Sequence, residues 1–257
     1  MDLRDGSLWK LDTFLVPPGS LGGTSVVIDG PEGHHAVDVT RVRPGDVVRL
    51  IDGEGTEALA RIDRASRSEA AATILEARTR HRFEGTSLTL AQALLKGKAM
   101  SELTRRAAEL GVAEIVPFVS DRAVGRVPAG SATERPERWR SVALAATKQS
   151  RGVFVTGVKG VTTLPEICKL PRRFDLSLVA WEEETTASLA EVLATAESPR
   201  TILLVVGPEG GLSGSEVQAL TEGGAVAVGA GSRILKADWA GAAIAGMIAS
   251  ALGGLLP

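Results

Sequence analysis

Two glycine-rich turns are the parts of this chain best suited to hold a ligand. Leu203–Val217 reads LLVVGPEGGLSGSEV, an apolar strand run followed by Gly-Pro-Glu-Gly-Gly and a helix start. Ser213 and Glu216 predict a capping box there. Glycine adopts backbone conformations that are closed to other residues and lets a ligand approach the main chain. A strand, a glycine turn and a helix start mark the edge where open α/β sheets bind ligands. The alternative is a tight loop whose glycines serve geometry alone.

The second turn, GAGSRILK at 229–236, leads from a short strand into the last helix. Two such turns at neighbouring strand ends can enclose a flat ligand, with apolar contact from Ile234 and Leu235 and charge from Arg233 and Lys236. Asp238 is either part of that site or the N-cap of the helix. Neither turn has the GxxxxGK[ST] of a P-loop or the GxGxxG of a dinucleotide fold.

Composition excludes several other classes of site. Cys168 is the only cysteine, which excludes an intramolecular disulfide and a cysteine-based metal site and favours a reducing, cytoplasmic setting. The three histidines are too few and too clustered for zinc, so we expect no metal. No apolar run approaches the roughly 18–20 residues that span a bilayer, and we expect the polar, acidic start not to act as a secretory signal. We therefore expect no membrane partner.

Charge is distributed unevenly along the chain. The net charge is −2, yet residues 83–151 carry 11 basic and 7 acidic side chains, a local surplus of four positive charges. Binding to nucleic acid would therefore depend on local patches and not on the total charge. The alternative is an ordinary solvated surface.

The element pattern predicts two domains with a boundary at residues 82 and 83. Residues 1–82 show short strand runs between turn signals, typical of a small β-barrel, with one helical turn near His34–Val42. Residues 83–257 alternate apolar strands with helices, which predicts an α/β domain with a parallel sheet covered on both faces. The predicted strands there are Ser87–Ala93, Ala113–Val119, Val153–Val158, Leu176–Ala180, Ile202–Val206 and Ala225–Val228. The predicted helices are Lys98–Leu110, Glu134–Thr147, Ser188–Ala196, Ser213–Glu222 and Asp238–Leu252.

These residues carry a resemblance to a known family. GPEGGLSGSEV followed by GSRILKADWAGAA resembles the two cofactor-loop motifs of the RsmE family, the 16S ribosomal RNA uridine N3-methyltransferases of the SPOUT superfamily. HHAVDVTRVRPGDVVRLIDGEG is similar to the PUA-like N-terminal domain of that family. KGKAMSELTRRAAELGVAEIVPFVSDRAV and VALAATKQSRG are similar to later segments, so the motifs cover essentially the whole chain in order.

The resemblance implies a fold, a cofactor and a partner. It implies a trefoil-knotted SPOUT domain after a PUA-like RNA-binding barrel, S-adenosylmethionine as cofactor, a homodimer, and 16S rRNA within the 30S subunit as substrate. The nucleotide that is methylated would be a uridine of the decoding region. Carried over by motif, the cofactor-binding residues would be Leu203, Gly207, Glu209, Gly210, Gly211, Gly229, Ser232, Ile234, Leu235 and Ala240.

The second motif departs from the family pattern Gly-Pro-Arg-Ile-Leu-Arg-Thr-Glu-Thr-Ala. Ser232 replaces proline, Lys236 arginine, Asp238 glutamate and Trp239 threonine, and KQSRG inverts the usual Ser-Gly-Arg order. Lysine lacks the planar, two-pronged contact of arginine. A non-catalytic rRNA-binding or ribosome-assembly module with a decayed cofactor pocket therefore stays open. So does an enzyme of nucleotide phosphates, against which the missing P-loop lysine argues.

Methylation of uracil N3 requires removal of its proton and a base that is unpaired or flipped out. We expect Arg233 to stabilise negative charge on the uracil carbonyls or to hold a phosphate, and Asp238 or Glu209 to act as the base. RNA contacts are expected from basic residues of the barrel and of the basic middle segment. They are Arg41, Arg43, Lys96, Lys98, Arg105, Arg106, Arg122, Arg126 and Arg151.

Overall fold

The computed structural model describes residues 10–80, 85–122 and 134–253. Its contacts divide the chain into two compact units. The first unit is Met1–Arg82 together with Thr147–Val155, and the second is Phe83–Ala146 together with Thr156–Pro257. Within the described residues, no helix is long and apolar enough to cross a membrane.

The first unit is a curled five-stranded sheet. Its strands are β1 (Thr13–Leu15), β2 (Ser25–Ile28), β3 (Val47–Ile51), β4 (Thr56–Ser66) and β5 (Glu69–Thr79), in the order β1-β3-β4-β5-β2. β1 runs parallel to β3, and the other neighbours are antiparallel. The expected helical turn is present as α1 (Gly30–His34), which continues into a π-helical turn at His35–Thr40. β1 is a strand that the sequence analysis missed.

Side chains along a strand alternate between the two faces of a sheet, and in this sheet both faces carry buried residues. The inward positions, such as Leu50, Ala60 and Ile62, pack on Phe14 and Ile28 as the core of the unit. The outward positions include Arg49, Ile51 and Glu57, which are also buried.

Residues 147–155 belong to the first unit, where they contact its sheet. Ile51 forms a small buried cluster with Val153 and Phe154, and the Val155 amide donates to the Gly53 carbonyl at 3.0 Å. The predicted strand Val153–Val158 is therefore wrong for most of its length. Only its last two residues pair in the second sheet, because the residues before them are bound to the first unit.

The second unit is a parallel sheet with helices. Its strands are β6 (Ser87–Ala93), β7 (Glu114–Val119), β8 (Gly157–Val158), β9 (Thr162–Thr163), β10 (Leu176–Ala180), β11 (Thr201–Val206) and β12 (Val226–Val228). The order is β12-β10-β11-β6-β7-β8, with β9 also on β7, and every pairing among the described strands is parallel. The helices are α2 (Ala99–Glu109), α3 (Glu134–Gln149), α4 (Leu164–Ile167), α5 (Leu189–Thr195), α6 (Gly214–Glu222) and α7 (Ala237–Ala251).

Both faces of this sheet are buried, as the continuous apolar strands predicted. Leu90 and Leu204 pack with Ile244 of α7 on one face. Leu203 and Val205 pack with Phe118 and other apolar side chains on the opposite face. The α/β fold with a parallel sheet is thus confirmed, and the missed elements are the short ones, β9 and α4.

The predicted capping box at the start of α6 is present, and it does more than cap the helix. Ser213 accepts from the Glu216 amide, and Glu216 Oε2 accepts from the Ser213 amide at 2.8 Å. The other oxygen, Oε1, accepts from the Asp121 amide at 2.9 Å, just after β7. Glu216 is only 2% exposed, so one buried carboxylate joins the segment after β7 to the segment before α6.

We expect Glu216→Ala to lower the free energy of unfolding by about 2 kcal/mol, since it leaves two amides at a buried site without their acceptor. Glu191→Ala is the matched control, because it removes the same box from α5 at an exposed position. Urea unfolding of both variants should show the larger loss for Glu216→Ala. Equal losses would mean that the second contact, to Asp121, contributes nothing.

Candidate functional site

A cleft of about 450 Å³ opens where three strands of the second unit end. Ala180 at the end of β10 pairs with Val206 of β11 and with Val228 of β12, so the three strands end at one edge. The lining comes from the ends of these strands and the segments that follow them, with Ala99, Ala240 and Ile244. These residues are Ala180–Glu182, Glu184, Val206–Glu209, Gly211 and Gly229–Asp238. This is the edge at which open α/β sheets bind ligands.

The glycines at this edge are required because backbone packs on backbone. A Cβ on Gly229 would lie 2.6 Å from the Glu184 carbonyl oxygen, and one on Gly207 would lie 2.9 Å from the Leu212 amide nitrogen. Gly211 has φ +68°, in the left-handed region, and its Cβ would lie 2.0 Å from a Glu182 carboxylate oxygen. Contact with backbone therefore accounts for Gly207 and Gly229, and the left-handed φ accounts for Gly211.

The loop after β10 is a wall of the cleft that the sequence analysis did not include. Backbone hydrogen bonds join it to the second turn: the Gly229 amide donates to the Ala187 carbonyl, and the Leu189 amide donates to the Gly229 carbonyl. The Glu184 carboxylate accepts from the Thr186 hydroxyl and from the Thr186 and Ala187 amides, and these hydrogen bonds hold the pKa of Glu184 below its ordinary value. The acidic run WEEE directly after an apolar strand was the available signal.

Gln92 is a second residue that was missed. It lies in β6 opposite Val206 and is fully buried. Its side-chain amide donates to the carbonyl of Gly207 at 3.0 Å and to that of Ala93 at 3.1 Å. The first glycine turn is therefore fixed from the neighbouring strand. The signal was one polar residue inside the apolar strand SLTLAQA.

The carboxylates proposed as bases have different surroundings. Glu209 is exposed, and its Oε1 accepts from the Lys96 amide at 2.9 Å. Asp238 is half-buried in the first turn of α7, and its backbone carbonyl accepts from Arg106 Nη1 at 2.7 Å. The N-cap of α7 is Lys236 and no side chain caps it, so Asp238 is not the cap.

Most of the predicted cofactor residues meet in this cleft. Those that line it are Gly207, Glu209, Gly211, Gly229, Ser232, Ile234, Leu235 and Ala240, together with Arg233 and Asp238 from the predicted catalytic set. Leu203 does not line it, because it lies in the middle of β11 with its side chain in the core. Gly210 does not line it either: its carbonyl accepts from Arg122 Nη1 at 3.2 Å.

The predicted RNA-binding residues are divided between the two units. Arg41, Arg43 and Arg151 belong to the first, and Lys96, Lys98, Arg105, Arg106 and Arg122 belong to the second. Arg126 lies outside the described residues. Arg105 pairs with Glu102 at 2.6 Å, and the Arg106 guanidinium lies 5.2 Å from the centre of the Trp239 ring.

Comparison with known proteins finds two domain families in this chain. Residues 83–249 match the RNA methyltransferase domain family, and residues 28–75 match the RNA methyltransferase PUA domain family. A ribosomal RNA small subunit methyltransferase E from Mycobacterium bovis is 31% identical over 233 residues, covering 88% of this chain and 86% of that protein. The Bacillus subtilis protein of the same name is 30% identical over 217 residues, with 83% and 85% covered.

A solved structure extends the likeness to three dimensions. The Neisseria gonorrhoeae ribosomal RNA small subunit methyltransferase E, bound to S-adenosylmethionine, superposes with a TM-score of 0.83 at 28% identity, covering 93% of this chain and 97% of that one. Fold and site thus define a two-part protein with a PUA domain and an RNA methyltransferase domain. The chain belongs to the ribosomal RNA small subunit methyltransferase E family.

We expect Gly229→Ala to weaken binding of S-adenosylmethionine, the ligand of the Neisseria structure, by at least about tenfold. The added methyl would meet the Glu184 carbonyl and move one wall of the cleft. Gly214→Ala, with open space around its Cβ, is the control and should bind as the wild type does. Calorimetric titration measures both, and equal affinities would show that the wall tolerates displacement.

Proposed function

We propose that this protein transfers the methyl group of S-adenosylmethionine to N3 of a decoding-region uridine in 16S rRNA of the 30S subunit. The observation that carries the proposal is the cleft, in which residues of both glycine turns meet at one sheet edge. Membership of the family supports methylation of small-subunit rRNA with this cofactor. The uridine and its N3 position follow from the resemblance of the motifs. We also propose that the protein acts in the cytoplasm, where 30S subunits are found.

The cleft fits the cofactor in size and in chemistry. Its walls combine backbone groups of the glycine turns with apolar contact from Val206, Leu235 and Ile244. Ile234 is 88% exposed, so it is available to cover a bound ligand. When bound, the sulfonium group supplies an already activated methyl, which leaves alignment, electrostatics and proton removal to the protein. The resemblance also implies that the chain around this cleft forms a trefoil knot.

We assign the base role to Asp238 in preference to Glu209. One oxygen of Glu209 is already engaged by the Lys96 amide, which gives that carboxylate a structural role in joining two loops. Asp238 lies in the first turn of α7 and lines the cleft. Arg233 is exposed on the lining of the cleft and can face the uracil oxygens on which negative charge builds.

We expect Asp238→Asn to lower kcat for methyl transfer by about 100-fold or more, the usual range for loss of a general base. The affinity for S-adenosylmethionine should stay within about twofold, because the amide has the same shape. Glu183→Gln is the control, since it removes an exposed carboxylate of the β10 loop that is not part of the cleft lining. An unchanged kcat for Asp238→Asn would remove this residue from the mechanism.

The function is tested by transfer of labelled methyl from S-adenosylmethionine to 30S subunits taken from cells that lack this modification, followed by mapping of the labelled base. We expect label on N3 of a single uridine. Label on another base would refute the assigned position. Absence of both label and cofactor binding would favour the non-catalytic module, which the Ser232 and Trp239 departures support.

We also propose that the protein acts as a homodimer. Three large apolar side chains of α7 and the end of α2 are partly exposed: Leu110 at 39%, Trp239 at 49% and Met247 at 43%. Near them α7 is rich in glycine and alanine, which permits close approach of another helix. Exposed apolar side chains beside small residues are suited to burial between subunits.

A further inference from the structure

A group of arginines surrounds one buried carboxylate in the first unit. Glu57, only 1% exposed, accepts from Arg49 Nε at 2.8 Å and from Arg78 Nε at 2.6 Å, and Arg80 Nη2 lies 3.4 Å from it. The register explains the grouping, because Glu57 of β4 lies opposite Arg78 of β5 and diagonal to Arg49 of β3. One negative charge thus faces three positive ones.

Within this group three guanidinium groups outnumber one carboxylate. Burial lowers the pKa of Arg49, and the neighbouring Arg78 and Arg80 lower it further, while Glu57 opposes the shift. Burial raises the pKa of Glu57, but the arginines outweigh it and the net shift is downward. Among the described residues, Arg49 Nη1 is buried without a hydrogen-bond partner. Arg78 and Arg80 are 34% and 49% exposed, so their charge is accessible.

Arg49 also connects this group to the end of α3. Its Nη2 donates to the carbonyl of Arg151 at 3.1 Å and lies 3.4 Å from that of Gly152. At this helix end the Gly152 amide donates to the Thr147 carbonyl, and the Arg151 amide donates to the Lys148 carbonyl. This is the Schellman pattern. The Lys148 ammonium is held as well, by Glu32 at 2.9 Å.

Arg151 occupies the position of this motif where glycine is preferred. Its φ is +63°, in the left-handed region, where a Cβ is unfavourable. This chain places arginine here and a glycine one residue further on. Among the described residues the Arg151 guanidinium has no ion-pair partner. The chain thus keeps a strained, exposed arginine beside a group that already has excess positive charge.

We propose that Arg78, Arg80 and Arg151 form a docking surface for RNA phosphate on the first unit, with Arg49 as the positioning residue that holds the Arg151 turn in place. The inference rests on the proposed rRNA substrate and names where the PUA-containing unit contacts it. Phosphate is the complement of this surface because a guanidinium fork binds phosphate with two parallel hydrogen bonds. A polyanion would also neutralise the excess charge around Glu57.

The test measures equilibrium binding to unmodified 30S subunits as a function of salt, with no methyl transfer involved. We expect Arg151→Gly and Arg80→Gln each to weaken binding by about tenfold and to reduce the slope of log K against log salt by about one. The melting temperature of Arg151→Gly should not fall, because glycine adopts this backbone conformation freely. Affinity for S-adenosylmethionine should stay within about twofold of the wild type.

Arg67→Gly is the matched control, since Arg67 is an exposed arginine of the same unit with φ +48° that lies at the β4–β5 turn, outside the group around Glu57. It should bind 30S subunits as the wild type does. Arg49→Met keeps the Arg151 guanidinium but removes its anchor, and it should weaken binding as Arg151→Gly does. If Arg151→Gly and Arg80→Gln match Arg67→Gly in affinity and slope, the docking surface is wrong, whether or not the wild type methylates the subunit.

Discussion

The cleft depends on one steric constraint, which is the close packing of backbone on backbone in the loops that follow the strands. Gly229 lies against the Glu184 carbonyl, and Gly207 lies against the Leu212 amide, at distances that leave no room for a side chain. Close approach brings main-chain donors and acceptors of different loops to one edge. The shape of the cleft is therefore set by backbone, and a side chain at Gly207 or Gly229 would have to displace it.

Two buried polar side chains fix the loops around the cleft through hydrogen bonds. Gln92 reaches the Gly207 carbonyl from β6, and Glu216 joins the start of α6 to the end of β7. Each is a polar group within an apolar layer that would be costly to bury without its hydrogen bonds. The loops thus owe their fixed positions to hydrogen bonds made by the sheet and by a helix start, and the exposed residues of the cleft are left available for chemistry.

The sequence predicted those structural features that depend on residues close together in the chain. The parallel sheet followed from continuous apolar strands, and the α6 cap followed from Ser213 and Glu216, because both signals depend on neighbouring residues in the sequence. Residues 147–155 could not be assigned in this way. Valine is a residue type enriched in strands, which favoured a strand at Val153. Its contact with Ile51, however, is decided by packing between segments about 100 residues apart. The role of Gln92 was hidden for the same reason, since its partner Gly207 lies on another strand.

One departure in the second motif, Trp239, has a structural consequence near the start of α7. Arg106 donates to the Asp238 carbonyl, and its guanidinium lies over the Trp239 ring at 5.2 Å. A threonine at position 239 would offer no ring for this contact. Arg106 is therefore bound to the helix that carries Asp238, which makes a structural role for Arg106 a better account than a direct RNA contact. The same contact steadies the first turn of α7, so the tryptophan departure is compatible with an ordered and working site.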